Sequence, residues 1–394
     1  MNTLIRSCLL HALALFAGIC LASALAAAAS TPSYLITNDD ATNLSFSLNS
    51  VTFFPINANG SLGAGQQVAT GGGGISGGYF PTNRIVVLNA SGNQCVFASD
   101  ASTSDIAAIS ITTLAVTGNF KGSSTDTGVS NGIGLAMNSQ YLYASFTDSS
   151  NIGTFQILPS CGLSFVSDVT VGGLQSGIVD GMAVHGNIMV VTYGDGSIES
   201  FDLSSGVPVS NGDKQNSTGS QGGSSYPSGI DITQDAHFAI FGDTSTSMLV
   251  EVSDISSGKL TPTVVYKSTA SINSSNVMLS PDESLLYISN TQGDQISAAF
   301  FDKTTGKLTQ GCSSGGIKGE SSAWSYLASM AFPSTTGTGG GVYVAEFGVP
   351  SSIAEVEVSS ANGKCTMAEA PGSPVSDPNS PGLLSIAAFP PRAF

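Results

Sequence analysis

Positive charge is scarce in this chain. Lys and Arg together number 11 in 394 residues, against 27 Asp and Glu, for a formal net charge of −16. Beyond residue 29 the only arginines are Arg84 and Arg392. Phosphate backbones and anionic lipid are held by clustered Lys and Arg, so no nucleic-acid partner is expected. Histidine is rarer still, with His11, His185 and His237 the full set. The six cysteines include no CxxC pair and no metal-ligand spacing. No GxSxG, HExxH, P-loop or Rossmann fingerprint occurs. The glycine run at 71–74 lacks the following Lys-Ser/Thr of a phosphate cradle, so it reads as an inserted loop. After the N-terminal region no apolar run is long enough to span a bilayer.

That N-terminal region, residues 1–29, reads as a secretory signal. Arg6 supplies a sparse positive start, residues 9–25 an apolar core, and Ala24 to Ala29 a small-residue cleavage zone. An uncleaved anchor is the alternative. Lipid attachment at Cys20 is discounted because bulky Ile19 precedes it. The expected mature protein is one domain, residues 30–394, secreted or periplasmic, soluble and monomeric. Its charge is 10 − 27 = −17, since only Arg6 is lost. Cys95, Cys161, Cys312 and Cys365 form an even set that an oxidising compartment would pair. Three pairings are open, as are free thiols; Cys312 and Cys365 favour each other because both fall near outer-strand turns of consecutive repeats.

What the chain does have is glycine, 47 of them, with abundant Ser and Thr, a composition suited to a turn-rich all-β protein. The most legible unit is 280–309. Ser280-Pro281-Asp282-Glu283 is a turn, 285–290 alternates like a half-buried strand, 291–294 turns again, 296–302 is a second strand, and Thr304-Thr305-Gly306-Lys307 closes a hairpin. With Val277-Met278-Leu279 in front, four antiparallel strands form one propeller blade. Segments equivalent to 285–290 recur at 34–37, 95–99, 141–146, 188–193, 238–241 and 342–347. Each carries an acidic residue at or near its end: Asp40, Asp100, Asp148, Asp195, Asp243, Asp294 and Glu346. Their spacings of 60, 48, 47, 48, 51 and 52 mark a repeat with a period near fifty. The first repeat lacks a first strand, and residues 384–390 echo 327–333. The expected fold is therefore an all-β, seven-bladed β-propeller of four-stranded antiparallel blades, closed by the C-terminal strand pairing into the N-terminal blade.

Leu279-Ser280-Pro281-Asp282, followed by Leu286-Tyr287-Ile288-Ser289-Asn290 and Thr305-Gly306-Lys307-Leu308, resembles the lactonase-type seven-bladed propellers, which include the 6-phosphogluconolactonases and the YVTN-repeat proteins. The resemblance spans essentially the whole mature chain. It implies the fold and, for members that are enzymes, the opening of a sugar lactone. Acting on a phosphorylated lactone would call for a basic cluster, which this sequence lacks, and no catalytic residue transfers by motif.

In a blade counted from axis to rim, the turn after the second strand lies on the same face as the blade-to-blade connections. Asp40, Asp100, Asp148, Asp195, Asp243, Asp294 and Glu346 are thus candidates to ring one mouth, where carboxylates could bind Ca²⁺ or another divalent cation or polarise a lactone carbonyl through it. Asp39, Asp40, Asp148 and Asn151 have the most ligand character, because their oxygens are paired. The competing reading is that Asp sits in turns to bond backbone amides. Arg84 heads an inner strand and could orient a carboxylate or pair with the acidic mouth. His185 and His237 fall on the opposite face. Trp324, Tyr326, Tyr79 and Phe80 precede inner strands and either line the mouth or pack between blades. The expected function is an extracytoplasmic binding or scaffold module using the acidic face, for a small sugar or lactone or for a peptide. The alternative is a lactone-opening hydrolase, with or without a divalent metal.

Overall fold

A computed structural model describes residues 32–41, 48–75, 83–175, 177–218, 227–243, 249–267, 272–292, 295–317, 326–332, 341–347, 351–378, 380 and 385–392. Residues 33–394 form one compact unit of seven antiparallel sheets arranged in a ring. From blade 1 to blade 7 the innermost strands are Ser385–Phe389, Ile85–Ala90, Ile133–Met137, Val179–His185, Pro227–Ile232, Ile272–Leu279 and Tyr326–Ala331. Blade 1 is composite: Ser385–Phe389 pairs with Tyr34–Asn38 in a register running from Tyr34 opposite Phe389 to Asn38 opposite Ser385. The C-terminal strand therefore closes the ring and leaves no open sheet edge at the junction.

Neighbouring blades pack face to face, so the middle strands are covered on both sides. Ile188–Tyr193 and Phe238–Asp243 are buried at every position, and each opens with four apolar residues in succession rather than an alternation, as two-sided burial favours. Leu88, Cys95 and Phe97 of blade 2, for example, pack against Ile133, Leu135, Phe146 and Phe155 of blade 3. Outer strands show the opposite pattern, with exposed positions at every second residue of Ala115–Phe120.

Two disulfides staple adjacent blades. Cys95 of blade 2 joins Cys161 at a turn of blade 3, and Cys312 of blade 6 joins Cys365 of blade 7. The innermost strands of blades 4 to 7 share another feature, a register break near the end where the chain enters. It falls between Val179 and Gly181, Pro227 and Ile230, Ser274 and Asn276, and Leu327 and Ser329.

Candidate functional site

Four of the repeated acidic residues, Asp40, Asp100, Asp148 and Asp195, bond connecting loops. Asp148 accepts from the Ser130 amide at 2.6 Å and from Asn131 Nδ2 at 2.5 Å. Asp195 accepts from the amides of Gln175, Gly177 and Ser197 and from the Ser197 hydroxyl. Asp100 takes Asn49 Nδ2 at 2.9 Å and Thr70 Oγ1 at 2.8 Å. Asp40 accepts from the Ile75 amide and forms a 2.6 Å ion pair with Arg84, both side chains 1 % exposed. Glu346 accepts from Ser352 Oγ, and Asp243 is buried. Asp294 lies outside the described residues, as do Trp324, Tyr79, Phe80 and the Tyr326 side chain.

The structure brings Asp39, Asp40, Asp100 and Arg84 together where blade 1 meets blade 2. Asp39 accepts from the hydroxyls of Thr37, Ser50 and Thr52. Burial and the nearby Asp377 charge push its carboxyl up, against those three bonds. Burial likewise raises Asp100 to about 7, opposed by its bonds to Asn49 and Thr70. The glycine loop covers this cluster at close range. A Cβ on Gly72 would stand 2.4 Å from Asp100 Oδ2, and one on Gly74 would stand 2.4 Å from the Asp40 carbonyl carbon. Close approach therefore explains the glycine run. Asn151 does not join Asp148; its Nδ2 bonds Asp126 Oδ1 at 2.9 Å. Among the described residues no group of three or more His, Cys, Asp or Glu side chains is placed to hold a metal.

Asp180 has no counterpart in the sequence reading. It is the extra residue at the register break of Val179–His185, and a bulge turns its side chain out of the regular alternation. It is 2 % exposed, and its Oδ2 has no hydrogen-bond partner. Burial, reinforced by the charge of Asp195, raises it to about 8. For Asp195 burial acts in the same direction, but donors from Ser197, Gln175 and Gly177 outweigh it and hold that carboxyl below its ordinary value. Two neighbouring carboxyls are thus driven apart, one toward the acid form and one toward the ion.

A separate cavity of about 610 Å³ runs along the innermost strands. Its wall includes Val86, Leu135, Met182, Met278, Met330 and Ile386. It extends from Asn83, where blade 2 begins, to Asn138 and Ser139 at the far turn of blade 3. Among the described residues only Asp231 and Arg392 bring charge to it, and they are paired at 2.7 Å, with Arg392 Nη1 also donating to the Leu279 carbonyl at 2.5 Å. The cavity thus reaches the face opposite the fastening acids. His237, on that face, stacks on Phe238 at 4.0 Å and lies 3.5 Å from Asp254, and His185 ends the innermost strand of blade 4.

The fold is shared with lactonase-type propellers. A protein from Bacteroides fragilis described as a putative 6-phosphogluconolactonase is similar with a TM-score of 0.65 and 14% identity, over 92% of this chain and 99% of that one. A protein of unknown function from Desulfotomaculum acetoxidans gives 0.63 and 14%, over 90% and 98%. The periplasmic gluconolactonase of Pseudomonas aeruginosa gives 0.51 and 12%, over 72% and 82%. No protein-family model matches the sequence, and no curated protein is similar to it in sequence.

Proposed function

We propose that the protein is an extracytoplasmic binding module whose axial cavity takes a neutral, mainly apolar small molecule. The observation that carries this reading is the wall of the 610 Å³ cavity. Aliphatic and methionine side chains dominate it, a few amides from Asn83, Asn138 and Asn276 punctuate it, and the charged residues described in its wall, Asp231 and Arg392, pair with each other. Ligand sites generally combine an apolar lining with a small number of orienting polar groups. A phosphorylated sugar fits poorly, because the one cation among the described residues of the wall, Arg392, is already bonded to Asp231 and Leu279. The acidic face supports binding less well than the cavity does, since its carboxylates are largely spent on fastening loops. Two disulfides and the leader-like residues 1–29 support an oxidising, extracytoplasmic setting.

The test is titration with the neutral apolar dye N-phenyl-1-naphthylamine, which brightens on burial. Saturable binding at one site per chain is expected, and Ala183→Trp, which adds bulk to the cavity wall, should abolish it. Glucono-δ-lactone should be neither turned over nor an effective competitor, with or without chelator. Steady hydrolysis of that lactone would replace binding by catalysis.

A further inference from the structure

We propose that Asp180 and Asp195, at the entry end of the innermost strand of blade 4, form a site for a hard divalent cation of the calcium type. This site lies outside the axial cavity wall and does not depend on the reading of that cavity. Asp180 is 2 % exposed and its Oδ2 meets no donor. Among the described residues neither carboxyl has an ion-pair partner. A buried carboxyl oxygen left without a hydrogen bond is costly, so the chain retains Asp180 at a price that a ligand would offset.

Backbone geometry and the neighbouring groups both point to a cation. The bulge places Asp180 where the equivalent breaks in the innermost strands of blades 5 to 7 hold Ser228 with Gly229, Ser275 and Ala328, so of these four blades only blade 4 puts an acid there. Asp195 is held rigidly by three amides and a hydroxyl, which fixes a negative charge beside it. Small residues surround the pair: a Cβ on Gly173 would stand 2.2 Å from the oxygens of Asp195, and one on Gly194 would stand 3.3 Å from those of Asp180. The donors are carboxylate oxygens with no imidazole or thiolate among them, which selects calcium or magnesium over zinc or copper. Asp180 supplies the open carboxylate oxygen and Asp195, with two donors on each of its own oxygens, supplies the neighbouring charge; completed by water, this is a weak site, in the range of about 10⁻⁴–10⁻³ M typical of extracellular calcium modules.

The experiment compares thermal unfolding and equilibrium calcium dialysis of the full chain after chelation. Calcium, magnesium and potassium chloride are added at matched ionic strength. Calcium should raise the unfolding temperature of the wild type by about 2 °C at saturation, with one ion retained per chain and potassium without effect. Asp180→Asn removes a charge while keeping shape, so it should fold, unfold at a higher temperature without calcium, and bind calcium at least about tenfold more weakly. Asp180→Ala provides the same comparison should the amide variant not fold. A wild type indifferent to calcium, or an Asp180→Asn protein that keeps the full calcium response, overturns the proposal. The first result would mean that a proton alone neutralises the site.

Discussion

Arg84 shows how strongly single residues are committed in this ring. It is fully buried, the largest such side chain among the described residues, and its guanidinium meets Asp40 at 2.6 Å. Its own amide donates to Ser385 Oγ of the closing strand, and its carbonyl accepts from Asn38 Nδ2. One residue thus touches the strand that starts blade 1, the strand that completes it and the entry to blade 2. Removing one partner of a buried ion pair leaves an uncompensated charge, at a cost of about 3–5 kcal/mol. Arg84→Ala should therefore lose that much in urea unfolding, whereas Arg84→Met combined with Asp40→Asn should lose far less. Equal losses from the single and double changes would show that packing, rather than charge pairing, is what Arg84 supplies.

At the scale of strands and blades, the sequence was legible wherever burial wrote a pattern. All seven second strands and the exchange of the C-terminal strand into blade 1 could be placed from the period of the repeat and the echo of 327–333 in 384–390, but 285–290, which reads as a half-buried strand, is buried continuously from Leu285 to Ser289 because blades cover it on both sides. Outer strands were less legible, since their polar composition matches that of the loops. In blade 4 that position is filled by two short strands, Val209–Ser210 and Gln215–Asn216, both pairing with Ser197–Asp202. The Cys312–Cys365 link could be anticipated because both residues fall near outer turns. Asp180 could not: a bulge is a property of register, which the pattern of residues along one strand does not record. The fastening role of Asp148 and Asp195 was visible only as a general preference of Asp for turns. The two disulfides yield an element-scale prediction. Their sequence separations, 66 and 53 residues, are nearly equal on the logarithmic scale that governs loop closure, and each should contribute about 4 kcal/mol. Cys95→Ser with Cys161→Ser, and Cys312→Ser with Cys365→Ser, should therefore shift urea midpoints by similar amounts. A large effect of one pair alone would show that native-state strain or denatured-state structure dominates the chain-entropy contribution.

For the whole molecule, the balance of buried acids sets how stability changes with pH. Burial raises Asp100 to about 7, and it raises Glu251 to about 7 against its bonds from Thr218. In the unfolded chain both titrate near 4. Between those limits the native state holds more protons than the unfolded state, so stability falls as pH rises through that window. Asp235, Asp254 and Asp282 behave oppositely: hydrogen bonds hold them below their ordinary value, and the stability they contribute is lost only as pH drops below about 4. The unfolding temperature should therefore rise from pH 8 to about pH 5 and fall below pH 4. Self-repulsion in a chain of net charge −16 pushes the same way, because acid neutralises carboxylates, but surface charge is screened by salt and buried groups much less so. Measured in chelator at high salt, the slope between pH 8 and pH 5 should persist in the wild type and be reduced in Glu251→Gln, whose amide oxygen can still accept from the Thr218 backbone. A slope that vanishes with salt would assign the effect to the surface, and one of opposite sign would mean that the buried acids remain ionised.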